Sequence, residues 1–106
     1  MTSRGDHSLD DLEQWRQKID DLDRQLVRLL NDRAQYAEEI GQIKTLLGMD
    51  AYSPEREEEV MKNVTGTNAG PLSVQAVRRL FERIIDESRA VERNAMKKKK
   101  QSSGDR

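Results

Sequence analysis

From Leu12 onward the apolar residues fall in alternating steps of three and four: Leu12, Trp15, Ile19, Leu22, Leu26, Leu29, then Tyr36, Ile40, Ile43 and Leu47. Such steps keep side chains on one stripe of a helix, and their alternation is a heptad seam. The seam is broken only at Arg33. The pattern predicts one helix from residue 9 to 47, with Ser8 as N-cap, acids in the first turn and Gly48 as the stop. A second helix begins at "SPERE", residues 53–57, with Ser53 as N-cap and Pro54 in the first turn. It runs into the turn-rich "TGTNAG" of residues 65–70. Pro71 is expected to open a third helix, in which Val77, Leu80, Phe81, Ile84, Ile85, Ser88 and Val91 recur at helical spacing. The expected fold is all-α, with three helices per chain, the first about 40 residues long.

A helix of that length is about 60 Å long at 1.5 Å per residue, whereas a compact chain of this size has a radius of gyration of about 13 Å. One short and one medium helix cannot cover both ends of such a rod. The seam is therefore expected to be buried by a second chain, most simply in an intertwined two-fold homodimeric bundle. The competing arrangement is a rod that breaks near Gly41 and folds back on itself.

Composition narrows the function classes. Of 106 residues, 34% are hydrophobic, 37% charged and 4% aromatic, which suits narrow apolar seams better than one thick core. A net charge of −1 gives no bias towards nucleic acid or an anionic membrane. With no cysteine and a single histidine, His7, thiol chemistry is excluded and a zinc site is disfavoured. The N-terminus lacks an apolar signal region and no run approaches a membrane span, so a cytoplasmic location is expected. The chain divides into a helical domain over 1–96 and a basic tail over 97–106, expected to be disordered. Four lysines without interleaved aromatics suit a solubilising or partner-docking tail better than a nucleic-acid reader.

Several polar groups stand on apolar stripes. Arg33 occupies an a-type heptad position, where an unpaired guanidinium is costly and calls for an anion, an ion-pair partner or a register-setting role. Lys44 lies eleven residues on and projects within about 20° of Arg33, so both cations can face one multivalent anion. The bland alternative makes Lys44 a solvated flank. In the third helix Phe81, Ile85, Ser88 and Glu92 follow a 4-3-4 step, turning an apolar stripe into hydroxyl and carboxyl. These are either a satisfied serine and a solvated glutamate or the wall of a small polar pocket. Arg16 precedes Arg33 by about 25 Å and about 100° of rotation, so it reaches the same ligand only from a second, antiparallel chain. Gly41, one turn before Lys44, offers a missing side chain where a substrate or a neighbouring helix can approach.

The ordered set "WRQKIDDLDRQLVRLLNDRAQYAEEIGQIK", "SPERE" and "RLFERIIDESRAVE" resembles the all-helical, bacterial-type (type II) chorismate mutases, from Leu12 to Glu92. The signature is spread over three helices: Arg-x2-Ile-x2-Leu-Asp, an arginine before Ile-Gly-x2-Lys, Arg-Glu opening helix two, and Ser-x3-Glu in helix three. The resemblance implies an intertwined dimer and an isomerase that rearranges chorismate to prephenate, in the shikimate pathway towards phenylalanine and tyrosine. It implies no metal and no cofactor, only a pocket that folds a flexible dianion and stabilises charge at a breaking ether bond. By matching position, Arg33 and the second chain's Arg16 would clamp the two carboxylates. Lys44 and Glu92 would serve the ether oxygen, Arg56 would support the anion, and Glu57 would accept from the ring hydroxyl. Ser88 would bind at the carboxylate end, with Ile40 and Ile85 as apolar walls.

Two positions depart from the commonest pattern. Ser53 stands where many relatives carry aspartate, which puts a polar substrate contact there in doubt. Glu92 stands where some carry glutamine; a carboxylate only accepts, so Glu92 must be protonated to donate. Two other readings remain beside the mutase: an isochorismate pyruvate-lyase on the same scaffold, and a non-enzymatic helical dimerisation module. Catalytic efficiency, feedback control and a partner enzyme are not legible, and the chain reads as a stand-alone enzyme or a module of a larger one.

Overall fold

The computed structural model describes the backbone of residues 8–104 and the side chains of residues 8–101. His7 and the last two residues of the expected tail lie outside the described residues. Three helices follow in order: α1 (Leu9–Leu47), α2 (Pro54–Gly66) and α3 (Val74–Gly104).

Local chemistry sets the helix ends. The Ser8 hydroxyl accepts from the Asp11 amide at 3.2 Å while the Asp11 carboxylate accepts from the Ser8 amide at 3.0 Å, a reciprocal capping box. At the other end of α1, Gly48 takes φ +68°. Its amide donates to the Thr45 carbonyl at 3.2 Å and the Met49 amide donates to the Lys44 carbonyl at 2.8 Å. This is a Schellman stop, for which glycine suits the left-handed position. Ser53 stands at the N-cap of α2 in extended conformation, φ −137°, but its hydroxyl makes no capping bond; Pro54 supplies the preformed first turn instead.

Helix α3 departs from expectation at both ends. It starts at Val74, three residues after Pro71, because Ser73 is a better cap: its hydroxyl accepts from the Ala76 amide at 3.0 Å. The Asn68 side chain meanwhile holds the preceding turn, donating to the Leu72 carbonyl at 2.8 Å and accepting from the Gly70 amide at 3.3 Å. Pro71 therefore belongs to the turn. At its far end α3 continues through Lys97, Lys98, Lys99 and Lys100 to Gly104 instead of stopping at 96. Lysine is a good helix former and no breaker intervenes before Gly104.

The described residues fall into two compact units, one ending at Arg33 and one beginning at Ala34, so that the division lies within α1. In the first unit the seam residues Leu12, Trp15, Ile19, Leu22, Leu26 and Leu29 are all exposed, from 44% to 62%. The Lys18 ammonium sits 4.6 Å from the Trp15 ring centroid, a surface cation–π contact. In the second unit the seam is open as well: Tyr36, Ile40, Ile43 and Leu47 are 44% to 69% exposed.

What packs the second unit is a different stripe of α1, about 100° round the helix from the seam. Ala37 and Gly41 are buried there, and α3 buries Val77, Ile85 and Ala95. Helix α2 lies against α3 with Val60, Met61 and Val64 half-buried on one face. The helix does not break at Gly41; α1 continues through it. A Cβ at Gly41 would meet the Glu92 carbonyl oxygen at 2.6 Å and the Ala95 Cβ at 3.1 Å. Of the two readings for this glycine, a neighbouring helix is what approaches.

Gly41→Ala is consequently expected to destabilise the protein, although alanine favours a helix by about 1 kcal/mol over glycine. The obstructing atom is backbone, so α3 has to shift, at a cost of about 1–3 kcal/mol. Thermal unfolding followed by circular dichroism measures the sign; a raised midpoint would contradict the close crossing.

Candidate active site

Gly41 sets α1 against α3, and Lys44 follows one turn later on the same side. Its ammonium lies 2.8 Å from Glu92 Oε1, with the two side chains only 13% and 15% exposed. The same nitrogen donates to the Ala51 carbonyl at 2.9 Å, in the turn after α1. Lys44 is therefore not a solvated flank: its backbone closes the Schellman stop and its head is held at two points. The ion contact is short but not aligned as a hydrogen bond. Glu92 Oε1 is shielded from solvent and has no hydrogen-bond partner among the described residues. Coulomb attraction needs proximity, not alignment, so the ion pair stands. The unfilled acceptor is the anomaly of this unit, since buried polar atoms nearly always find a partner.

A second charged pair joins α2 to α3. Arg89 donates from Nε to Glu57 Oε2 at 2.9 Å and from Nη2 to Glu57 Oε1 at 2.7 Å, the two-point geometry that a guanidinium makes with a carboxylate. Tyr52 lies beneath it, the guanidinium carbon 5.1 Å from the ring centroid. Hydrogen bonding to Glu57, opposed in part by burial, raises the Arg89 guanidinium above its ordinary value, so it is a cation at any accessible pH. Glu57, expected to serve a substrate hydroxyl, is thus already engaged through one lone pair on each oxygen, and each oxygen keeps another.

The other expected residues are placed as follows. Ile85 is buried and Ser88 half-buried on the α3 stripe that leads to Glu92. Ser53 is half-buried at the start of α2. Arg56 is exposed and pairs with Glu59 of its own helix, so it joins neither of the two less exposed pairs. Ile40, expected as an apolar wall, is 44% exposed. Arg33 is half-buried and ends the first unit, in which Arg16 is exposed on α1. The structure thus brings together Lys44 with Glu92 and adds Arg89 to Glu57. Cavities of about 400 and 330 Å³ on the second unit are lined by the lysine-rich part of α3 and contain none of the expected residues.

Sequence reading missed Arg89, Tyr52 and the Ala51 carbonyl. Arg89 had one signal, its place between Ser88 and Glu92, but its acid lies 32 residues earlier and no helical spacing links them. Among the described residues no cluster of histidine, cysteine and acidic side chains could hold a metal ion, and no helix is long and apolar enough to cross a membrane.

Because each member of the Lys44–Glu92 pair compensates the other's desolvation, Lys44→Met alone should cost about 1–3 kcal/mol, less than the roughly 3–5 of a fully buried pair. Adding Glu92→Met should recover part of that loss. Chemical unfolding of the two single variants and the double variant measures the coupling; strict additivity would show that the contact contributes nothing.

Residues 15–93 match the family described as chorismate mutase type II. The bifunctional chorismate mutase/prephenate dehydratase of Neisseria gonorrhoeae is 46% identical over 79 residues, which is 74% of this chain and 21% of that protein. The corresponding protein of Aquifex aeolicus is 30% identical over 89 residues, or 80% of this chain and 25% of that protein. The chain therefore spans a quarter or less of the length of these relatives. The solved chorismate mutase (form II) of Thermus thermophilus superposes with a TM-score of 0.76 at 35% identity, covering 77% of this chain and 93% of that one. The likeness extends over all three helices, including those that set Lys44 against Glu92, and the chain belongs to the type II chorismate mutase family.

Proposed function

We propose that this protein is a chorismate mutase, rearranging chorismate to prephenate without a covalent intermediate. One observation carries the reading: a shielded Glu92 oxygen without a hydrogen bond, 2.8 Å from a lysine held at its other contact by a backbone carbonyl. A cation held at two points suits a ligand oxygen on which negative charge develops, and the unfilled oxygen beside it joins in only when it carries a proton to donate. In this mechanism Lys44 donates to the ether oxygen as the carbon–oxygen bond breaks. Glu92 donates to the same oxygen in its protonated form. No nucleophile is consumed, and the gain comes from holding the substrate folded and from fixed charges aimed at the transition state.

The carboxylates of the substrate fall to Arg33 and to Arg16 of a second chain, with Arg56, Ser53 and Ser88 as further polar contacts and Ile40 and Ile85 as apolar walls. Glu57 accepts from the ring hydroxyl. The second chain is a copy of this one in a two-fold dimer. Supporting it are ten seam residues of α1, from Leu12 to Leu47, all 44% to 69% exposed in the single chain. Each large apolar side chain gains about 1.5–3 kcal/mol on full burial, so covering the seam is strongly favoured. No observation favours the pyruvate-lyase or the inert dimerisation module.

The experiment is incubation of purified protein with chorismate and, separately, isochorismate. Prephenate from the first is expected; salicylate and pyruvate from the second would indicate the lyase. Arg16→Ala and Lys44→Ala should each be nearly inactive, yet a refolded equimolar mixture should recover about a quarter of parent activity, because half the dimers then carry one intact pocket out of two. A mixture as inactive as its components would overturn the shared site.

An amide donates without a proton to lose, so Glu92→Gln should keep kcat/KM while Glu92→Ala loses about a hundredfold; equal activity of the two variants would remove residue 92 as the donor.

A further inference from the structure

Arg89 has no part in the reaction as drawn so far, yet it is among the most constrained cations of the second unit. Its side chain is 22% exposed and that of Glu57 26%, whereas intrahelical pairs such as Arg56–Glu59, Lys62–Glu58 and Arg83–Glu87 are 58% or more exposed. Four contacts hold the guanidinium: two hydrogen bonds to Glu57, the Tyr52 ring, and Asp86 Oδ1 at 3.6 Å. Arg89 follows Ser88 directly and precedes Glu92 by one helical turn, so it emerges from the part of α3 that carries the candidate site. A lone carboxylate on a helix samples several rotamers, whereas one gripped at both oxygens has its plane and its free lone pairs fixed.

We infer that Arg89 is a positioning residue for the reaction: its two-point bond fixes the Glu57 carboxylate so that a remaining lone pair accepts the substrate's ring hydroxyl. The inference rests on the reading of Glu57 given above. The competing account makes Arg89 a staple between α2 and α3 that holds the fold and does nothing for the substrate. The two accounts differ in which substrates notice the loss. A staple serves any ligand of the pocket alike, whereas a positioned acceptor matters only to a ligand that has the hydroxyl to donate.

The test compares chorismate with its analogue in which the ring hydroxyl is replaced by hydrogen, using parent protein, Arg89→Leu, Arg89→Lys and Glu57→Gln. Arg89→Leu should lower kcat/KM for chorismate by about tenfold to a hundredfold, the scale of a misplaced charged hydrogen bond, and for the deoxy analogue by less than about twofold. Arg89→Lys should recover part of the loss, because an ammonium makes a single-point bond where the guanidinium makes two. In the Glu57→Gln background, Arg89→Leu should cost nothing further on chorismate. Equal losses on both substrates, or no loss on either, would overturn the inference. Absence of turnover by the parent protein would instead overturn the mutase reading itself, and that outcome is visible before any variant is made. Should Arg89→Leu unfold, as circular dichroism would reveal, the Arg89→Lys comparison on the two substrates decides the question alone.

Discussion

The second unit depends on how closely two backbones approach at Gly41. A single additional carbon there would come within 2.6 Å of the Glu92 carbonyl oxygen, so the crossing of α1 over α3 exists because that carbon is missing. Glu92, whose backbone forms that crossing, is also the residue whose carboxylate meets Lys44. Ion-pair attraction falls with separation, and a displaced α3 would weaken the contact and admit water. The Schellman stop at Gly48 then turns the chain so that the Ala51 carbonyl takes a second contact from the same ammonium. Two glycines, one for close approach and one for a left-handed turn, thus position a lysine that neither touches chemically.

Helix α1 carries two faces with different fates. The narrow stripe of Ala37 and Gly41 packs within the chain and is buried. The wide heptad seam, with the larger residues, remains open to solvent. Small residues suit a close helix crossing, and large ones suit a seam that interlocks side chains with another helix. The same division accounts for the proposed chemistry. Lys44 and Glu92 belong to contacts that one chain completes, while Arg16 stands exposed in the first unit, where a second copy is the proposed complement.

Much of the fold was legible in the residues. The N-cap at Ser8, the stop at Gly48 and the full run of α1 between them follow from local chemistry that any helix obeys. Errors arose where local signals competed. Pro71 looked like a helix start, but the hydroxyl of Ser73 satisfies an orphan amide and proline supplies no such acceptor. The lysine run looked like a frayed tail, yet it contains only good helix formers. Within the site, Lys44 and Glu92 were each legible as polar groups on an apolar stripe. Arg89 was not, because its meaning comes from Glu57 on another helix.

Periodicity, caps and composition by themselves determined an all-helical chain, the bounds of α1, a seam too long for its own chain to cover, and the stripe of α3 that turns polar. These are properties of residues within a few turns of one another, where helical geometry fixes who is neighbour to whom. Only the tertiary structure decided which face of α1 meets α3, that Gly41 yields its space to a helix, that Lys44 pairs with Glu92 at 2.8 Å, and that Arg89 grips Glu57. Those contacts join residues dozens of positions apart and depend on how the helices pack against one another. No spacing rule along a single helix carries that information.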